Sequence, residues 1–148
     1  MRIVIGSDHA GFPLKGTIVE FVKSLGHEVV DVGSHDPNPV DFPDIARAVT
    51  DRIADGGADR GLLVCGTGVG ASIAANKVKG IRAAVCHDIH SAHQSVEHDD
   101  VNVMCIGAQI VGPWLAKDLV AAYLNAKFST AEEFRRRVAK LADMDAGR

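Results

Sequence analysis

Three groups of residues in this chain have the types and spacing to do chemistry. The most informative is Cys65-Gly66-Thr67-Gly68-Val69-Gly70, where a thiol and a hydroxyl stand among alternating glycines. Gly61-Leu62-Leu63-Val64 before it reads as a short buried strand. From Val69 the pattern is helical, with Val69, Ile73, Ala74 and Val78 on one face. A glycine-rich turn between strand and helix lets backbone N–H groups converge on an oxygen-rich group. The spacing is not a Walker A loop, because no Lys follows Gly70. Nor is it a dinucleotide fingerprint, which needs Gly-x-Gly-x-x-Gly after a first strand. What remains is an anion-friendly nest with Cys65 at a helix start, an environment that makes a thiol a usable base or nucleophile. The competing account is a buried strand-end cysteine beside a structural turn.

The second group is Asp8-His9, which follows the apolar run Arg2-Ile3-Val4-Ile5-Gly6. In an open α/β sheet the ends of parallel strands share the carboxyl edge, so Asp8, His9 and Cys65 can share a pocket. Asp8 as a helix cap and His9 as a surface turn residue are the structural alternatives. The third group is the imidazole-rich stretch His87-Asp88-Ile89-His90-Ser91-Ala92-His93-Gln94-Ser95-Val96-Glu97-His98. His90 and His93 sit three apart, but no acidic ligand is placed with them, so exposed helix histidines are expected rather than a metal site. His98 ends the helix just before a strand, next to Asp99, and is positioned for acid/base work. Together these residues suit chemistry in which charge builds on oxygen. Proton abstraction beside a carbonyl needs a base and surrounding donors. Acyl transfer through a Cys–His pair needs that pair in contact. The residues alone leave both open.

The elements that must position these groups follow from the apolar pattern. The first strand leads into a helix from about Pro13 to Leu25, with Leu14, Ile18, Phe21, Val22 and Leu25 on its apolar face. A strand at Glu28–Val32 and a polar connection Gly33–Pro39 precede a helix opened by Asp41-Phe42-Pro43 and lined by Ile45, Ala46, Val49 and Ile53. After the Cys65 turn, a helix ends near Lys79-Gly80. Ile81–Cys86 is the fourth strand, Ile89–His98 a helix, Asn102–Gly107 the fifth strand. A helix from Gly112-Pro113 carries Trp114, Leu115, Leu119, Ala122 and Tyr123. A last helix, about 130–144, has Phe134, Val138 and Leu141 on one face and a capping box at Thr130-Ala131-Glu132-Glu133. Five strands alternating with helices predict a doubly wound α/β fold, a three-layer sandwich around a five-stranded parallel sheet. The last helix extends past the sheet and is expected to contact a partner subunit.

At 148 residues, with 47% hydrophobic and 24% charged residues, the composition is that of one ordinary globular domain spanning 1–148. A net charge of -3 without a Lys/Arg stripe gives no nucleic-acid footprint. No apolar run is long enough to span a membrane, and Met1 leads straight into a strand without a signal peptide. Three cysteines without zinc-site spacing suit a reducing cytoplasm.

Along essentially its whole length the chain resembles the type B ribose-5-phosphate isomerases, whose relatives include galactose-6-phosphate and allose-6-phosphate isomerases. The resemblance rests on Ile5-Gly6-Ser7-Asp8-His9-Ala10-Gly11 with Leu14-Lys15, Asp41-Phe42-Pro43, and Cys65 through Gly70 with Ala74-Ala75-Asn76-Lys77. Gly80-Ile81-Arg82-Ala83, Ser91-Ala92, His98 and Asn102-Val103 continue it. It implies an aldose–ketose isomerase in which Cys65 shuttles a proton through a cis-enediolate and Thr67 assists. Backbone N–H groups of Gly66, Gly68, Val69 and Gly70 would hold the oxyanion. His98 would help open the sugar ring, Asp8 bind the ring oxygen or hydroxyls, and His9 help hold a phosphate. It also implies no cofactor, and a homodimer or dimer of dimers with the site shared between subunits.

The chain departs from that pattern around the phosphate. Asp99 replaces the usual Asn after the ring-opening His, and Gln109 replaces an Arg after the fifth strand. Glu132 or Glu133, depending on register, replaces the first of two C-terminal Arg, leaving Arg136 or Arg137, with Arg135 as a substitute. Losing Arg–phosphate contacts costs roughly several kcal/mol of binding. A differently phosphorylated or unphosphorylated sugar is therefore the alternative substrate. A Cys-dependent hydrolase and a non-catalytic sugar-binding homologue are the rival classes.

Overall fold

The computed structural model describes residues 1–148. Its elements are β1 (Arg2–Ser7), α1 (Phe12–Ser24), β2 (Glu28–Asp31), α2 (Phe42–Ala54), β3 (Arg60–Cys65), α3 (Val69–Ala75), β4 (Ala83–Val85), α4 (Ile89–Asp99), β5 (Val103–Gly107), α5 (Pro113–Asn125) and α6 (Glu132–Ala146). The five strands form one parallel sheet in the order β2-β1-β3-β5-β4. Side chains alternate across the central strands. Ile3, Ile5, Leu62, Val64, Met104 and Ile106 meet α1, α4 and α5 on one face. Val4, Leu63, Val103 and Cys105 meet α2 and α3 on the other. Strands buried on both faces must be apolar throughout, which is why they read as continuous runs. The expected doubly wound sandwich is the observed one.

Local departures have physical causes. The fourth strand was expected over Ile81–Cys86, yet β4 keeps only three residues at the sheet edge. Side-chain amides take over its entry: Arg82 N–H donates to Asn102 Oδ1 and Ala83 N–H to Asn76 Oδ1, both at 2.8 Å. Asn76 also caps α3, which therefore stops short of the expected Lys79-Gly80. The face expected for that helix is met only at Ala74 and Val78, which pack partly buried against the core. Val69 and Ile73 are 52% and 56% exposed, while Ala71 and Ala75 face the sheet. Gly68 at φ +81° turns the helix in close, so small residues must face inward. The capping box at α6 does not form. Ala131 is the N-cap and donates its N–H to Ser129 Oγ at 3.1 Å. Trp114 of α5 is 85% exposed; Ala116, Leu119, Val120, Tyr123 and Leu124 carry that helix's contacts instead.

No residue of α6 is buried, and its side chains lie chiefly over the end of α4. α4 is anchored at its start by Asp88, which accepts from Ser91 N–H at 2.7 Å and Ser91 Oγ at 2.6 Å. Those two bonds hold the Asp88 carboxyl below the usual carboxylate range. No helix is long and apolar enough to cross a membrane.

If Leu119 is a keystone of the α1–α4–α5 core and Trp114 a surface residue, denaturant titration will separate them. Leu119→Ala should lose roughly 2–5 kcal/mol of stability and Trp114→Ala no more than about 0.5 kcal/mol. Equal losses would contradict this placement.

Candidate active site

The polarity of the sheet decides which residues meet. β1, β3 and β5 run the same way, and their registers align Ser7 with Val64 and Cys65 with Gly107. Asp8, Cys65 and Gln109 therefore emerge together at the carboxyl edge. Cys65 Sγ donates to Asp8 Oδ2 at 3.1 Å, while Asp8 Oδ1 accepts from Gly11 N–H at 2.8 Å. One oxygen of Asp8 ties the amide of Gly11, the N-cap of α1, and the other touches the thiol.

The glycine loop lies over the end of β5. A Cβ on Gly107 would fall 2.8 Å from the Thr67 backbone, and one on Gly66 would fall 3.1 Å from Gln109 Oε1. The loop is held by Ala108 N–H on the Cys65 carbonyl at 2.8 Å and Gln109 N–H on the Gly66 carbonyl at 3.0 Å. Its own amides at Gly66, Thr67, Gly68 and Gly70 make no hydrogen bond within the chain, whereas Val69 N–H donates to Thr67 Oγ1 at 3.3 Å. Buried amides without partners are rare, so a row of them at a surface turn is a ready acceptor site for an oxyanion. His9 accepts from Val40 N–H at Nδ1, 3.2 Å away. His87 accepts from Gly107 N–H at Nε2, 2.8 Å away, and so supports the strand end beneath Thr67. The sequence grouped His87 with histidines expected to be exposed; its position one residue past the expected fourth strand was the available signal.

His98, Asp99, Glu133, Arg136 and Arg137 are elsewhere. α4 runs back against the strands, so its last turn lies at the amino edge, just before β5 begins. There the His98 ring stacks on Phe134 with centroids 3.9 Å apart and planes 16° apart. The Arg137 guanidinium lies 5.6 Å from the Phe134 ring centre. Glu97 Oε2 is 3.2 Å from His93 Nε2 and 4.0 Å from His98 Nε2. Arg136 pairs with Glu132 at 3.8 Å and Arg135 lies over Phe128. Asp99 lines a cavity of about 830 Å³ with Lys79, Arg82, Leu141 and Arg148, beside the start of β4 at the amino edge. The candidate residues thus form two clusters on opposite edges. No group of three or more His, Cys, Asp or Glu side chains is arranged to hold a metal ion.

The three thiols differ. Burial pushes the Cys105 thiol up, with Cys86 and Cys65 adding to the shift. Burial also raises Cys86, opposed by its hydrogen bond to Ser95. Cys65 is the least enclosed of the three, 9% exposed against 2% for Cys86 and 0% for Cys105. Brief iodoacetamide treatment of the native protein at neutral pH should add one carbamidomethyl group, on Cys65, by intact mass and peptide mapping. Labelling of Cys86 or Cys105 ahead of Cys65 would contradict this ordering.

A model of the family described as Ribose/Galactose Isomerase matches residues 3–141. Ribose-5-phosphate isomerase B of Escherichia coli (strain K12) is 46% identical over 127 residues, covering 86% of this chain and 85% of the relative. D-erythrulose-4-phosphate isomerase of Pectobacterium atrosepticum is 44% identical over 131 residues, covering 86% of this chain and 85% of that protein. The solved structure of Clostridium thermocellum ribose-5-phosphate isomerase B superimposes with a TM-score of 0.96 at 45% identity, over 99% of both chains. With its parallel sheet, its glycine loop and its strand-end thiol, the chain belongs to the ribose/galactose isomerase family.

Proposed function

We propose that this protein interconverts an aldose phosphate and its ketose through a cis-enediolate, in a site assembled from two copies of the chain. The observation that carries the reading is the Cys65 thiol, hydrogen-bonded to Asp8 and flanked by unpaired loop amides. Asp8 Oδ2 accepts the thiol proton. The thiolate then takes the hydrogen at C2 of the open-chain aldose as a proton. The C2–H electron pair forms the C1=C2 bond, and the carbonyl oxygen becomes an oxyanion. The amides of Gly66 to Gly70 stabilise that oxyanion, and Thr67 assists proton movement between O1 and O2. Return of the proton to C1 completes the ketose. In this reading Asp8 does more than the hydroxyl contact that the resemblance assigns to it.

Ring opening and phosphate binding need His98 and a cation, which one chain holds at its other edge. A second copy supplies them. The exposed apolar residues around the nest support this: Phe42, Val69, Ile73 and Ile110 surround the glycine loop and lie open in the single chain. Such a rimmed apolar patch marks a contact surface. Arg137, presented beside His98 by Phe134, is the phosphate-binding cation. Arg136 is drawn to Glu132, which leaves one strong Arg contact rather than two. The named relatives act on phosphorylated sugars of four and five carbons, and ribose 5-phosphate and erythrulose 4-phosphate are the substrates to test.

These two should be assayed in deuterium oxide beside free ribose. Turnover of a phosphorylated sugar with solvent deuterium entering C1 or C2 is expected, and Cys65→Ala should lower kcat by about 10²–10⁴-fold. Undiminished activity of the Cys65→Ala protein, or turnover of the free sugar alone, would overturn the reading.

A further inference from the structure

One buried charge has no part in the proposed proton transfer. Lys15, on α1, is only 4% exposed, and a lysine is almost never so buried unless its charge is paired. Its Nζ donates to both Asp31 carboxylate oxygens, at 2.8 and 2.9 Å, and to the Ser34 carbonyl. Asp31 Oδ1 also accepts from Gly33 N–H at 3.0 Å. Two backbone bonds of 2.7 Å complete the anchor, Ser7 N–H to the Gly33 carbonyl and Ser34 N–H to the Ser7 carbonyl. The ammonium thus ties the segment after β2 to α1, and the two backbone bonds tie the same segment to Ser7 at the end of β1, the residue before Asp8.

From that anchor the connection to α2 returns to the carboxyl edge. Asp36 tightens it by accepting from Asn38 N–H at 2.9 Å, and two residues later Val40 N–H donates to His9 Nδ1. A ring nitrogen that accepts from an amide carries no proton, so the His9 proton is on Nε2, which remains as the free donor. The loop therefore decides which nitrogen of His9 can address a ligand, and the buried amine decides where the loop starts.

We propose that Lys15 is a positioning residue for substrate: through Asp31 and Ser34 it fixes the 33–41 connection, and Val40 then holds His9 as an Nε2–H donor to the anionic group of the sugar. This rests on the isomerase reading above and extends it to a residue that does not touch substrate. A purely structural Lys15 would affect stability and leave His9 indifferent, so the two roles separate in a double-mutant cycle.

The test uses Lys15→Met, His9→Gln and the combination, assayed with the phosphorylated sugar that turns over best. Each single change should raise KM about tenfold or more, the size of a lost charge-assisted hydrogen bond, with kcat little changed. The combined protein should be no worse than His9→Gln alone, because residues acting in one chain of contacts are not additive. Limited proteolysis without substrate should cut Lys15→Met faster within 33–41. Should Lys15→Met fail to fold because Asp31 is left unpaired, Lys15→Met with Asp31→Leu removes both charges and serves in its place. Additive KM effects, or a Lys15 variant whose kinetics match the unaltered protein, overturn the proposal. An unchanged KM in His9→Gln with Cys65 still essential would remove His9 from phosphate binding and leave the isomerase reading standing.

Discussion

A parallel sheet has two unlike edges, and everything in this molecule follows from that. The strands deliver Asp8, Cys65 and Gln109 to the carboxyl edge, while a helix returning to start the next strand must end at the amino edge, and α4 does so with His98. Loop rearrangement within one chain cannot unite them, because the β3–β5 ladder and its buried faces lie between. In the proposed reading, each copy therefore carries the proton-transfer half of one site and the ring-opening and anion-binding half of another. The strand directions, which set Cys65 and His98 at opposite edges, are the structural reason for that reading.

Within each half the polar contacts are few and short. At the carboxyl edge a carboxylate bridges a thiol and the first turn of α1, so substitution of Asp8 would disturb both chemistry and helix entry. At the amino edge an aromatic ring stands between an imidazole and a guanidinium, giving the stack His98–Phe134–Arg137. Cation–π contact holds Arg137 without consuming its hydrogen-bond donors. Arg136, in contrast, leans toward a carboxylate of its own helix. The acidic residues that distinguish this C-terminal helix therefore bear unequally on its three arginines, weakening one cation while leaving another poised.

Much of this was legible in the residues. Apolar runs marked the strands because both faces are covered. Strand-end reasoning alone brought Asp8 and Cys65 together, and they touch. The failures came where a long-range contact overrode a local pattern. Val69 and Ile73 have the spacing of a core face, but the close approach set by Gly68 puts the small Ala71 and Ala75 against the sheet and leaves the larger pair outside. Ile81–Cys86 has strand composition, but Asn76 and Asn102 occupy the backbone groups that would extend the ladder. Thr130 to Glu133 has a capping pattern, but Ser129 reaches the chain first. Lys15 stood in the motif with no visible task, since its partners Asp31 and Ser34 lie 16 and 19 residues away.

The claim that one site is built from two chains is tested most directly by mixing. Cys65→Ala breaks the carboxyl-edge half, and His98→Ala with Arg137→Ala breaks the amino-edge half; each protein alone should be inactive. After the two are unfolded and refolded together in equal amounts, random pairing gives mixed dimers with one intact site of two. The account predicts recovery of roughly a quarter of the unaltered activity. If both halves belonged to the same chain, every site would carry a lesion and the mixture would stay inactive, which would contradict it.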